Sequence, residues 1–136
     1  MFTSLQRKYD ALNGVLVKLA RKADEGVPIL VEGTKDLLAL ERLGIMGKTI
    51  CVKSSNGMLV DLLDSIKDKE AIVLVDFDRT GKMLVKRIVT YLQRKGVDAN
   101  SVLWRRIGLL IKHDVKDLEG LPSYLKKIKE TLKKQL

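Results

Sequence analysis

Two short apolar runs, each stopped by carboxylates, constrain this chain more than any other feature. Ile29-Leu30-Val31 runs into Glu32-Gly33, with Asp36 close behind. Ile72-Val73-Leu74-Val75 runs into Asp76-Phe77-Asp78, followed by Arg79-Thr80-Gly81. Runs this short and this rich in β-branched residues read as strands buried on both faces. Segments of helical period lie between and around them. Strands separated by helices imply right-handed crossovers and a parallel sheet.

The remaining elements follow from period and punctuation. Leu5, Tyr9, Leu12, Leu16, Leu19 and Ala23 recur at three- and four-residue spacing, so residues 4–24 form an amphipathic helix. Thr3 or Ser4 suits its cap, and Gly26-Val27-Pro28 ends it. Strand one is expected at 28–32, a helix at 35–43 closed by Gly44, and strand two at 49–53. The loop Ser54-Ser55-Asn56-Gly57 leads to a helix marked by Leu59, Leu62, Leu63 and Ile66. Strand three is expected at 71–75 and a helix at 80–95, stopped by Gly96. Strand four is placed near 101–104, and Ile107–Ile111 reads as a short fifth strand or a buried turn. Pro122 opens a last helix whose apolar face is Leu125, Ile128, Leu132 and Leu136. The expected fold is therefore a Rossmann-like α/β domain of about four parallel strands spanning residues 1–136, with an N-terminal helix and a basic C-terminal helix.

Ligands in such sheets bind beyond the carboxyl ends of the strands, where strand order reverses. The order 2-1-3-4 brings Glu32 and the Asp76/Asp78 pair to one crevice. If the third strand continues through Phe77, alternation points Asp76 and Asp78 the same way. Carboxylates gathered at such an edge are costly to desolvate and repel one another, a cost that a divalent cation offsets. Hard oxygen ligands in ones and twos suit magnesium, with manganese as a substitute. Gly81 and Gly33 read as sites of close backbone approach, and Arg79 as a phosphate contact. The same Asp-x-Asp pair also suits a turn with helix-capping acids.

Charge narrows the partner. With 26 Lys and Arg against 17 Asp and Glu, the 136-residue chain carries a formal +9, which favours a polyanion, most simply nucleic acid. No apolar run is long enough for a membrane span and no signal-peptide core opens the chain, so the expected setting is cytoplasmic. A single cysteine, Cys51, excludes an internal disulfide, and no zinc-type spacing is present.

The stretch Val31-Glu32-Gly33-Thr34-Lys35-Asp36, followed by Asp76-Phe77-Asp78-Arg79-Thr80-Gly81, resembles the Toprim domain of topoisomerases, bacterial-type primases and several nucleases. The resemblance covers roughly residues 27–110 and is nearest to small stand-alone archaeal members. Arg105-Arg106 and Lys116-Asp117-Leu118-Glu119-Gly120-Leu121 also look like that group. It implies Glu32 as general acid/base or metal ligand, Asp76 and Asp78 as the magnesium pair, and Asp36 as a further acid. Lys35, Arg79, Lys82, Arg105 and Arg106 would frame the nucleic acid, with Lys53 also on the rim. A topoisomerase's tyrosine and a primase's zinc-binding element stand on separate domains in that family, and nothing in residues 1–136 is expected to supply either. The implied function is a Mg²⁺-dependent nuclease or related phosphoryl-transfer enzyme on RNA or DNA. The alternative is a non-catalytic nucleic-acid-binding module with protein partners in a processing or repair complex. Trp104, Tyr9, Tyr91 and Tyr124 read chiefly as packing residues, and the lone His113 as a remote catalytic candidate.

Overall fold

The computed structural model describes residues 3–54 and 58–135. Ser55, Asn56 and Gly57 of the expected loop lie outside the described residues. The chain begins with helix α1 (Ser4–Asp24), whose first turn is capped by the Thr3 hydroxyl accepting from the Gln6 N–H at 3.0 Å. Then come β1 (Ile29–Val31), α2 (Thr34–Arg42) and β2 (Thr49–Cys51), with a single 3₁₀ turn at 52–54. α3 (Leu59–Asp64), β3 (Glu70–Val73), α4 (Arg79–Arg94) and β4 (Asp98–Asn100) follow. The chain closes with α5 (Val102–Ile111) and α6 (Leu121–Lys134).

All strand pairs are parallel, in the order β2-β1-β3-β4. Ile29 faces Ile72 and Leu30 faces Val73 across the central pair, and the Leu74 N–H extends the ladder to the Leu30 carbonyl at 2.8 Å. Every residue of β1 is fully buried, as are Ala71 to Val75 along β3, which is why both runs are continuously apolar. The chain leaves β1 towards one edge through α2 and leaves β3 towards the other through α4. Right-handed crossovers then put α2 and α4 on opposite faces. α3 packs with α4 on one face, while α1, α5 and α6 pack together on the other. Sequence order reverses between β1 and β3, so their carboxyl ends flank the crevice.

The end of the sheet departs from expectation. The fourth strand is Asp98–Asn100, not 101–104, and residues 102–111 are helix throughout. Asp98, Ala99 and Asn100 are poor strand formers and hide the strand from propensity. Its register against Glu70, Ala71 and Ile72 comes from the neighbouring strand. The Asn100 side-chain oxygen then accepts the Val102 N–H at 3.0 Å, turning the chain into α5. Leu103, Trp104, Ile107, Gly108 and Ile111 are buried on one side of that helix, so Ile107–Ile111 is neither strand nor turn. Gly108, a breaker by propensity, sits where a Cβ would come within 3.1 Å of the Phe77 ring. Close packing keeps it helical.

Candidate metal and nucleic-acid site

The strand β1 ends at Val31, and Glu32 turns into the crevice with only 7% of its surface exposed. Its Oε1 accepts the backbone N–H of Asp76 at 3.0 Å, tying the end of β1 to the segment after β3. Its Oε2 is 2.9 Å from the Lys53 ammonium, itself two-thirds exposed. The Lys53 N–H in turn donates to the Glu32 carbonyl at 3.0 Å, so the turn after β2 is anchored to the same residue twice.

Asp36 is equally buried, at 7%. It occupies the third position of α2, and its Oδ2 accepts the Gly33 N–H at 3.0 Å, half of a capping box. Burial pushes its carboxyl above the usual range, against the pull of the Gly33 hydrogen bond, with the Glu32 and Glu119 charges adding to the rise. Gly33 has extended backbone, and a Cβ there would meet nothing within 4 Å. Among the described residues nothing makes the close approach expected at Gly33, which serves as the cap of α2 through its backbone.

β3 ends at Val73, so the strand does not run through Phe77 and alternation does not align Asp76 with Asp78. The two acids have different surroundings. Asp76 is half-buried, and its Oδ1 accepts the Leu118 N–H at 3.3 Å. Desolvation raises its pKa to about 6, with the Glu32 charge next and Asp36 and Asp78 adding, while the Leu118 hydrogen bond opposes. Asp78 is exposed and caps α4, its Oδ1 accepting the Gly81 N–H at 2.7 Å. Gly81 is required here for space. A Cβ would lie 1.9 Å from the Asp76 carbonyl oxygen.

A strap from the C-terminal side closes the site. The Phe77 N–H donates to the Lys116 carbonyl at 2.6 Å, and the Leu118 N–H reaches Asp76. Asp117 holds the strap's own turn by accepting the Gly120 N–H at 2.8 Å. The motif stretch 116–121 thus touches Asp76 and Phe77 through the Leu118 N–H and the Lys116 carbonyl, backbone groups that no side-chain pattern announces. Trp104 lies on α5 and donates from its indole nitrogen to the Val75 carbonyl at 2.9 Å. It stacks on Phe77 with ring centroids 6.0 Å apart.

The basic residues separate into groups. Lys82 and Arg105 line one cavity with Lys112, a residue that sequence reasoning passed over. Lys35 lines a different, smaller cleft with Arg42 and Glu119. Arg79 opens α4 and is exposed, and Arg106 is exposed on α5. His113 is exposed beyond α5, next to Asp114, which accepts from the Tyr124 hydroxyl at 2.7 Å and from Lys8 at 3.4 Å. Among the described residues, no three acidic, His or Cys side chains are drawn together as ligands of one ion. The residues at the crevice nevertheless offer the hard oxygens that divalent cations take. Glu32, Asp36 and Asp76 are hard carboxylate donors, the Glu32 charge adds to the raised proton affinity of Asp36 and Asp76, and the Lys53 ammonium provides the cationic contact at Glu32.

A family model described as Toprim-like matches residues 29–118, from the start of β1 to the Leu118 strap. The chain belongs to the Toprim-like family. A UPF0292 protein of Methanocaldococcus jannaschii is 35% identical over 120 residues, 88% of this chain and 93% of that protein. A UPF0292 protein of Thermoplasma volcanium is 33% identical over 111 residues, 79% and 90% of the respective chains. A solved structure of a protein from Aquifex aeolicus superposes with a TM-score of 0.61 at 25% identity, covering 79% of this chain and 94% of that one. The resemblance to small archaeal Toprim proteins is thereby borne out, as is the 2-1-3-4 parallel fold. The Toprim domain is a metal-binding fold associated with nucleic acids. No described helix is long and apolar enough to cross a membrane.

Proposed function

We propose that this Toprim-like protein is a Mg²⁺-dependent nuclease, or a closely related phosphoryl-transfer enzyme, acting on RNA or DNA in the cytoplasm. The observation that carries the reading is the near-burial of Glu32 beside Asp76 at the topological switch point, with one lysine ammonium at Glu32. Glu32 and Asp76 would hold the metal, assisted by the Asp78 oxygen that does not cap α4. The metal would offset phosphate charge and stabilise the attacking or leaving oxygen. Manganese has the same ligand preferences and would substitute.

The chain's own groups supply the rest. Both Glu32 oxygens have partners, Asp76 N–H and Lys53. For Glu32 to take a proton from an attacking water at Oε2, Lys53 must leave it, and a substrate phosphate is the natural new partner for the ammonium. Asp76 stays fixed by the Leu118 N–H while this happens. Lys35, Arg79, Lys82, Arg105 and Arg106 would hold the flanking phosphates, since positioning and charge do most of the work in phosphoryl transfer.

The test is incubation of purified protein with labelled RNA and DNA panels in magnesium, manganese or chelator. Metal-dependent cleavage that disappears in Glu32→Gln and Asp76→Asn supports the assignment, and cleavage unchanged in both variants removes it. A second reading, a non-catalytic binding module within a processing complex, is favoured by the commitment of one Asp78 oxygen to the α4 cap. Binding without cleavage under every metal would select it.

A further inference from the structure

Beside the carboxylates lies a cavity of about 330 Å³ between α4 and α5. Its inner wall is Phe77, Trp104 and Gly108. Phe77 is bracketed in sequence by Asp76 and Asp78, so the cavity adjoins the acidic site through a single residue. The two stacked rings are each 8% exposed, and both line the cavity. Gly108 contributes no side chain where a Cβ would approach the Phe77 ring at 3.1 Å. Leu109, two-thirds exposed, forms an apolar lip. The rim is cationic: Lys82 from α4, Arg105 in the first turn of α5 and Lys112 about two turns beyond Arg105, at the helix's C-cap. Arg105 and Lys112 have no acidic partner among the ion pairs described.

We propose that this cavity seats one unstacked nucleobase of a single-stranded nucleic acid, with the flanking phosphates on Lys82, Arg105 and Lys112. This rests on the reading of the carboxylates as a nucleic-acid-processing site and names its substrate class. The volume is that of a small-ligand pocket, and a flat apolar wall beneath a ring of cations complements an aromatic base carrying phosphates on either side. A base inside a continuous duplex is stacked and paired on both sides and cannot enter. Single strands, loops or frayed ends therefore bind better than blunt duplex, and the base so held draws the neighbouring phosphodiester towards Asp76.

Trp104 is the chain's one tryptophan, so its emission reports on the cavity alone. The experiment titrates the protein with a short mixed-sequence strand, as DNA and as RNA, and with the blunt duplex each forms with its complement. Anisotropy of a labelled strand measures binding, and Trp104 emission with unlabelled strand measures occupancy of the cavity. Two variants of equal charge change are compared: Arg105→Gln with Lys112→Gln at the rim, and Lys133→Gln with Lys134→Gln on α6. All four positions are exposed, and thermal melts check that both variants fold. Expected are single-strand affinity about tenfold above duplex, the ordinary worth of a base contact, and a change in Trp104 emission on saturation. The rim variant should lose that preference and the α6 variant should keep it. Unchanged emission at saturation, equal affinity for duplex, or equal effects of the two variants would overturn the cavity assignment while leaving nucleic-acid binding intact. No binding of either form at low salt would remove the broader reading, and this one with it.

Discussion

At Asp76 the position of the carboxyl and its titration are linked. Folding raises its pKa from the ordinary range to about 6, chiefly by desolvation. A group whose folded pKa is raised binds protons better in the folded state. Its favourable contribution is complete below the unfolded value near 4 and is lost as pH rises through about 6. Because the side chain is only partly buried, solvent screening reduces the effect to about 1–2 kcal/mol. Asp76→Asn should therefore raise Tm at pH 7, since the amide oxygen still accepts the Leu118 N–H without carrying charge. The gain should shrink as pH falls from 7 to 4, because wild-type Asp76 then protonates. A gain independent of pH, read by thermal melts across that range, would contradict the cause given. With Asp76 as the proposed metal ligand, the same titration would set protons against the metal, so Mn²⁺ affinity measured by calorimetry should weaken below about pH 6.

The junctions between strand and helix determine which side chains reach the crevice. Asp78 and Gly81 together build the start of α4: the carboxylate caps, and the absent Cβ lets the first turn lie on the Asp76 carbonyl. Gly81→Ala would force the two apart and should cost about 3 kcal/mol or more, with loss of metal-dependent activity, because Asp76 moves with its backbone. Gly33→Ala meets open space and should change stability by less than about 1 kcal/mol. Asp78→Ala should cost about 1 kcal/mol as a lost cap. Chemical denaturation of the three variants gives the ranking. Equal costs at Gly33 and Gly81 would show that conformational freedom, not contact, selects glycine here.

At the scale of the molecule, the +9 charge and the cationic rims predict a polyelectrolyte binding mode. If about four to six phosphates are neutralised, log K should fall with log salt at a slope of roughly −3 to −5. Charge reversal at Arg105-Arg106 should flatten the slope more than reversal at Lys133-Lys134 if α5 tracks the strand. The scaffold beneath is braced at its ends by an ion pair and hydrogen bonds. Lys22 reaches from α1 to Glu70 at 2.9 Å, and the Asn100 amide donates to the same carboxylate, joining α1, β3 and β4. Lys95 donates to the carbonyls of Leu63, Asp64 and Ile66, closing the end of α3 against α4.

The sequence alone determined the parallel α/β class, because two runs of Ile, Leu and Val with no polar face leave no other way to be buried. It also singled out Glu32, Asp76 and Asp78, with Asp36 close behind, since carboxylates that end buried runs are costly to desolvate. Strand β4 and helix α5 were misplaced because Asp98-Ala99-Asn100 carries no strand signal of its own and acquires one only beside Glu70–Ile72. The division of labour between the acids was decided by tertiary structure. A spacing of two suits both a ligand pair and a capping turn, and only the packing of α4 on the Asp76 carbonyl commits one Asp78 oxygen to the cap. The Lys53 contact, the Leu118 strap and the Phe77–Trp104 cavity likewise join residues far apart in the chain. Partners so distant leave no local pattern, because the sheet order and the helix packing bring them together.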